Sequence, residues 1–246
     1  MISLVASISC QQVSMRVLVV QNFDNEGLGQ IGAALVEAGV DIDLRRPYCG
    51  DALPQDSGGH DAMVVLGGAQ NALDDELCPY FPGLLDLTRD FAERDRAVLG
   101  ICLGSQLVTR AFGGENQIGG ASEFGWHEVA LTAAAQADPV LAALPAKFPI
   151  FEWHDDTFVL PKTAVRLAGN AVAENQAFRI GRAVYGFQFH FEADSPMVRD
   201  WSTSFAPLIA ERHPEWAGRL DDEMARNGPQ ADAAGLAIAR AWVATI

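Results

Sequence analysis

Apolar residues fall in short unbroken runs along the first hundred positions. Arg16–Val20 (RVLVV), Ala62–Leu66 (AMVVL) and Ala97–Ile101 (AVLGI) have the form of parallel strands buried on both faces, and Val40–Leu44 predicts a shorter one. Between them the spacing changes. Ile31, Leu35 and Val36 predict a helix that stops at Gly39, and Leu84 to Glu93 carries the same period. Leu107, Val108 and Ala111 give a third helix, ended by Gly113-Gly114. The second half is richer in strand patterns, at Trp126–Leu131, Val165–Ala173, Ala177–Ile180 and Ala183–Phe189. Two helices are predicted near Pro196–Arg212 and Asp232–Ala244. Early β/α alternation with short connections implies a parallel sheet covered by helices on both faces. With no internal repeat, low-complexity tract or linker, residues 15–246 read as one domain. Residues 1–14 (MISLVASISCQQVS) read as an extension, either disordered or the product of an upstream start.

Composition narrows the partners. A chain of 246 residues, 49% hydrophobic and 20% charged, has the make-up of a globular protein rather than a disordered one. Its 17 basic against 32 acidic side chains give a net charge of −15, which excludes nucleic acid and anionic membrane as main partners. No apolar run reaches the roughly 18 residues of a membrane span. Cys10, Cys49, Cys78 and Cys102 are scattered, without a C-x-x-C pair or a histidine at zinc-ligand spacing. Neither a disulfide scaffold nor a metal is expected, and a reducing, cytoplasmic setting fits.

Two glycine motifs point to nucleotides on paper only. Gly27-Leu28-Gly29-Gln30-Ile31-Gly32 matches the dinucleotide fingerprint G-x-G-x-x-G. Six residues separate it from its strand, however, and Asp24 and Glu26 among them would put negative charge where pyrophosphate should sit. Ser57-Gly58-Gly59-His60-Asp61 resembles a pyrophosphate loop, but it precedes a strand instead of following one. Both read as turns, and no cofactor is expected.

A third pattern carries chemistry. In Gly100-Ile101-Cys102-Leu103-Gly104-Ser105-Gln106 a strand runs through Gly-x-Cys-x-Gly into a helix. That is a nucleophile elbow with sulfur at its tip. Glycines at 100 and 104 suit the tight turn, the helix N-terminus favours a thiolate, and the Leu103 N–H points where an oxyanion would form. A thiolate nucleophile needs a proton carrier. His190 stands at the end of an apolar strand, and Glu192, two residues on, shares its face and can orient the imidazole. Gly67-Gly68 ends another strand at the same sheet edge, where a bare amide can donate to a substrate carbonyl.

Taken together these segments resemble the class I (triad) glutamine amidotransferases, above all stand-alone proteins related to the amidotransferase part of GMP synthase. The likeness runs from about Met15 to Phe205. It includes Leu66-Gly67-Gly68, the elbow, Gly125-Trp126, His154 to Phe158 with Leu160-Pro161, Asn175 to Arg179, and Gln188-Phe189-His190-Phe191-Glu192. The resemblance implies a flavodoxin-like α/β fold, a three-layer sandwich around a mostly parallel sheet. It makes Cys102 the nucleophile toward glutamine, His190 the general base and acid, and Glu192 the orienting group. Gly68 and Leu103 become oxyanion donors, with Gly67 and Gln106 on the substrate side. Glutamate and ammonia are the implied products. Phe191 stands where the family commonly has proline, as does Ala69, so the His190–Glu192 geometry rests on packing. The roughly 40 residues after the likeness read as two helices, too few for a synthetase region, so ammonia is expected to pass to a separate synthetase subunit, or the chain to act alone; a homodimer is a further expected assembly. Three other readings stay open: a γ-glutamyl peptidase for small peptides or conjugates, a non-catalytic regulatory or binding subunit, and a redox protein using Cys102 as a sensor thiol.

Overall fold

The structure is a computed structural model that describes residues 14–246. The expected N-terminal extension, with Cys10, lies outside the described residues apart from Ser14. Strand β1 (Arg16–Val20) is followed by α1 (Gly29–Glu37), β2 (Asp41–Arg45), β3 (Ala62–Val65), α2 (Phe81–Glu93), β4 (Ala97–Ile101) and α3 (Leu103–Ala111). The order matches the sequence reading, with one change of face. Val36 is 70% exposed, and α1 buries Ile31, Ala34 and Leu35 instead.

The remaining chain adds β5 (Glu115–Gln117), β6 (Glu123–Leu131), β7 (Lys147–His154), β8 (Thr157–Val159), β9 (Ala164–Gly169), β10 (Ala177–Ile180) and β11 (Val184–Phe187). Helices α4 (Ser195–Ser204), α5 (Ala206–Arg212) and α6 (Trp216–Val243) close it. Nine strands form one sheet in the order β2-β1-β3-β4-β11-β10-β9-β6-β7; β5 and β8 pair separately. From β2 to β11 all neighbours are parallel, and from β11 to β7 all are antiparallel.

Side-chain alternation explains the three layers. Val17, Val19, Val64 and Leu99 point into a core shared with α1, α4 and α6. Their neighbours Leu18, Val20, Met63 and Val98 point the other way, into a core closed by α2 and α3. A strand buried on both faces needs apolar residues at every position, which is the run seen in the sequence.

Several elements depart from expectation: the helix expected near Pro196–Arg212 is two, α4 and α5, and the short strands β5 and β8 had no counterpart in the sequence reading. The last helix starts at Trp216 rather than Asp232, because Gly228 and Pro229 read as a break while Trp216, Leu220 and Met224 already pack at helical spacing. Strand β7 contains Pro149, which hides it from a reading of local pattern. At a sheet edge a missing N–H costs no ladder bond, so proline is tolerated there.

The register sets up the site. Phe187 of β11 lies beside Ile101 of β4, so both strands end together, and the Cys102 N–H donates to the Phe187 carbonyl at 2.8 Å. Past β11 the chain crosses over. The Gln188 N–H donates to Gln176 and the His190 N–H to Phe151 of β7, each at 2.9 Å.

Candidate active site

Cys102 caps α3 with φ 49° and ψ −111°. A side chain at positive φ outside glycine costs about 1–3 kcal/mol and persists only where its surroundings impose it. Here they do. Besides the bond to Phe187, the Cys102 carbonyl accepts the Ser105 N–H at 2.9 Å and the Ser105 hydroxyl at 2.7 Å. A Cβ on Gly104 would collide with the Val65 carbonyl, and one on Gly100 with Gly104 itself, so the elbow requires both glycines.

His190 and Glu192 are buried, and Nδ1 of the imidazole lies 2.6 Å from Glu192 Oε1. A carboxylate can only accept, so Nδ1 carries the proton and Nε2 is left for the thiol. Burial disfavours a charged ring, yet the charges of Glu192 and Cys102 outweigh it and raise the His190 pKa well above the usual histidine range. Such an environment favours the protonated ring.

The false dinucleotide motif turns out to hold this acid. The Gln30 N–H, in the first turn of α1, donates to the Glu192 carbonyl at 2.9 Å, and the Gln30 side-chain amide donates to the Phe191 carbonyl at 3.0 Å. Gly29, at φ +45°, has no room for a Cβ against the Glu192 carbonyl. The helix start thus meets a peptide carbonyl where the motif suggested a phosphate. Phe191 is fully buried, with its ring edge-on to Phe187 at 5.0 Å.

A cavity of about 760 Å³ opens over the thiol, and Cys102, His190, Gly68, Leu103 and Gln106 all line it. Gly67 does not reach it; its α-carbon faces the Glu26 carboxylate, whose oxygens lie 3.2 and 3.3 Å from where a Cβ would sit. Gln106 Nε2 donates to Gln188 Oε1 at 3.2 Å, and Gln188 Nε2 lies 3.6 Å from Cys102 Sγ.

Comparison with known proteins decides the family: the model of "Glutamine amidotransferase class-I" matches residues 21–198. The chain belongs to the class I glutamine amidotransferases. A glutamine amidotransferase-like protein of Salmonella typhimurium, YfeJ, is 34% identical over 72% of this chain and 76% of its own. A component of the glutamine-hydrolyzing GMP synthase of Haloarcula marismortui is 32% identical over 65% and 76%. Among solved structures, a glutamine amidotransferase from Thermotoga maritima superposes with a TM-score of 0.82 over 93% of this chain and 96% of that one, at 24% identity.

Two residues at this site, Glu26 and Trp153, carry no signal for it in the local sequence, whereas His154 belongs to the family likeness. Trp153 presents its carbonyl 3.8 Å from Cys102 Sγ, and Glu26, Trp153 and His154 line the cavity. Among the described residues two groups each bring one possible ligand atom per residue within 4.8 Å of one another: Glu26–His190–Glu192, in which Glu26 is half-buried, and the buried Glu123–Glu152–His154. Either set could ligate a divalent cation by chemistry alone. In the first, His190 and Glu192 already bond each other. In the second, His154 Nδ1–H donates to the Asp156 carbonyl at 2.9 Å, and Nε2 stands 3.3 Å from both Glu123 Oε2 and Glu152 Oε2. Burial opposes charge on that ring, but the two carboxylates prevail and push its pKa up to about 10. The cluster therefore supplies its own cation. Glu123, opposite His154 on β6, also accepts from Asn170 and Gln176, each at 2.7 Å. Among the described residues no helix is long and apolar enough to cross a membrane.

Proposed function

We propose that this amidotransferase hydrolyses the side-chain amide of glutamine, with Cys102 as nucleophile, His190 as proton carrier and Glu192 as orienting acid. The observation that carries the reading is the buried imidazole beside the elbow cysteine, its Nδ1 committed to Glu192 and its Nε2 free for the thiol. The Cys102 thiolate attacks the amide carbon, and the N–H groups of Gly68 and Leu103 receive the developing oxyanion. The imidazolium of His190 gives its proton to the departing nitrogen, so ammonia leaves and a γ-glutamyl thioester remains. Water then attacks the thioester, passing a proton to His190, and glutamate departs with the thiolate restored. Gln106 is the residue for the substrate's amino-acid end.

The GMP synthase component among the relatives supports transfer of ammonia to a separate synthetase subunit. The cavity supports a second reading. At about 760 Å³ it exceeds what one amino acid fills, and Leu77, Ile118 and Leu208 expose apolar surface along its lining. A γ-glutamyl peptide or conjugate with a larger leaving group would use that space. Ammonia and glutamate release across glutamine and a panel of γ-glutamyl peptides, with Cys102→Ala as control, tests both. Turnover of glutamine supports the first reading, and turnover confined to conjugates the second. No turnover of any substrate, with or without a synthetase, leaves the non-catalytic subunit.

A further inference from the structure

Glu26 sits in the loop between β1 and α1, and the fold spends several groups on holding it in place. The Gln21 side-chain amide donates to the carbonyls of Phe23, Asp24 and Glu26, at 3.0, 3.2 and 2.7 Å, and the Trp201 indole N–H donates to Asn25 at 3.0 Å. Gly67 leaves room for the carboxyl, since a side chain there would press on both its oxygens. The result is a second carboxyl next to the triad, with its donor atoms within 4.8 Å of those of His190 and Glu192.

Two oxygens in this group are buried without a hydrogen-bond partner, Glu26 Oε2 and Glu192 Oε2. Two ionised carboxylates at such a separation repel each other, and burial strengthens the repulsion. A single proton held by one of the two removes that repulsion and makes its carboxyl a donor facing the other, so one proton serves both orphaned oxygens. Resting on the triad reading, we propose that Glu26 is a positioning residue that holds a proton and donates it as a hydrogen bond to the free oxygen of Glu192. Glu192 then keeps one oxygen for His190 and has the other anchored, so the imidazole is held in line with the thiol.

The electrostatics agree with the geometry. Burial pushes the Glu26 pKa up to about 7; the His190 charge opposes this and the Glu192 charge adds to it. These two are the charged groups facing it from the segment after β11. Gly67 after β3 and Trp201 of α4, which also pack on this loop, carry no charge. The protonated form predominates below about pH 7 and is lost as pH rises through it.

The test compares Glu26→Gln with Glu26→Ala, reading kcat/KM from pH 5.5 to 9 with the substrate the wild-type enzyme turns over. Wild-type activity should decline as pH rises through about 7. Glu26→Gln, a donor that cannot ionise, should abolish that decline and recover most of what alanine loses. Glu26→Ala should fall by about tenfold to a hundredfold at every pH. Infrared difference spectra provide a readout independent of turnover: wild type should show a protonated carboxyl band that titrates near pH 7 and is missing in Glu26→Gln. Equal losses in the two variants with the wild-type pH profile retained, or no such band, would overturn the proposal. If wild type neither turns over a γ-glutamyl substrate nor has a reactive Cys102, the triad reading fails first and this one with it.

Discussion

The backbone amide of Gln30 and the carbonyl of Glu192 meet at 2.9 Å, which fastens the start of α1 to the acid behind His190. Two segments 162 positions apart in sequence are thereby made one structural unit, and Gly29 beside them is the residue that permits the approach. The proposed triad thus depends on a helix whose residues do no chemistry.

Gly29→Ala should expose that dependence. The added methyl meets the Glu192 carbonyl at a backbone angle that alanine resists by about 1–2 kcal/mol. Expected are a loss in kcat/KM of at least about tenfold and a melting temperature lower by about 2–4 °C per kcal/mol, checked by steady-state kinetics and calorimetry. Unchanged kcat/KM in a folded variant would mean that the bracket is not needed for catalysis.

Strain at Cys102 gives a comparison of opposite sign. At φ 49° alanine bears the same backbone penalty as cysteine, and glycine does not. Both Cys102→Ala and Cys102→Gly should be inactive, with the glycine variant melting higher by about 2–4 °C if it relieves about 1 kcal/mol. An alanine variant as stable as the glycine one would show that the elbow is unstrained.

His154 should make stability depend on pH. Its pKa is raised in the fold to about 10 from an unfolded value near 6.5, so its contribution is full below about pH 6.5. The contribution declines as pH rises and is gone above about pH 10. The stability advantage of wild type over His154→Gln, measured by urea unfolding, should shrink steadily over that interval. A pH-independent difference would place a neutral imidazole between Glu123 and Glu152.

Phe191→Ala should cost about 3–5 kcal/mol by removing a buried ring, and should lower activity as well because Glu192 follows directly. Urea unfolding and ammonia release measure the two effects. A stability loss without an activity loss would show that His190 and Glu192 hold their geometry without it.

Much of this is legible in the sequence because local pattern and tertiary role coincide there. RVLVV, AMVVL and AVLGI are apolar at every position since both sheet faces are covered, and the Gly100–Gly104 elbow is local in sequence and in space. Glu26 is not legible as part of the site, because its neighbours are Gly67, His190 and Glu192, distant in the chain. Its charge is legible only as an argument against bound phosphate. His154 belongs to the family likeness, but its role depends on Glu123 across a β6–β7 register that no local pattern reveals. Strand β7 is masked by Pro149, and the first half of α6 by Gly228-Pro229, where a local breaker signal yields to packing.

The proposed function turns on Cys102 as a nucleophile activated by His190. Treating the enzyme with a glutamine-mimicking diazoketone and mapping the adduct by mass spectrometry tests it most directly. One covalent adduct on Cys102, absent in Cys102→Ala and formed far more slowly in His190→Ala, is the expected result. No adduct, or labelling of Cys102 at the same rate without His190, would rule out that activation.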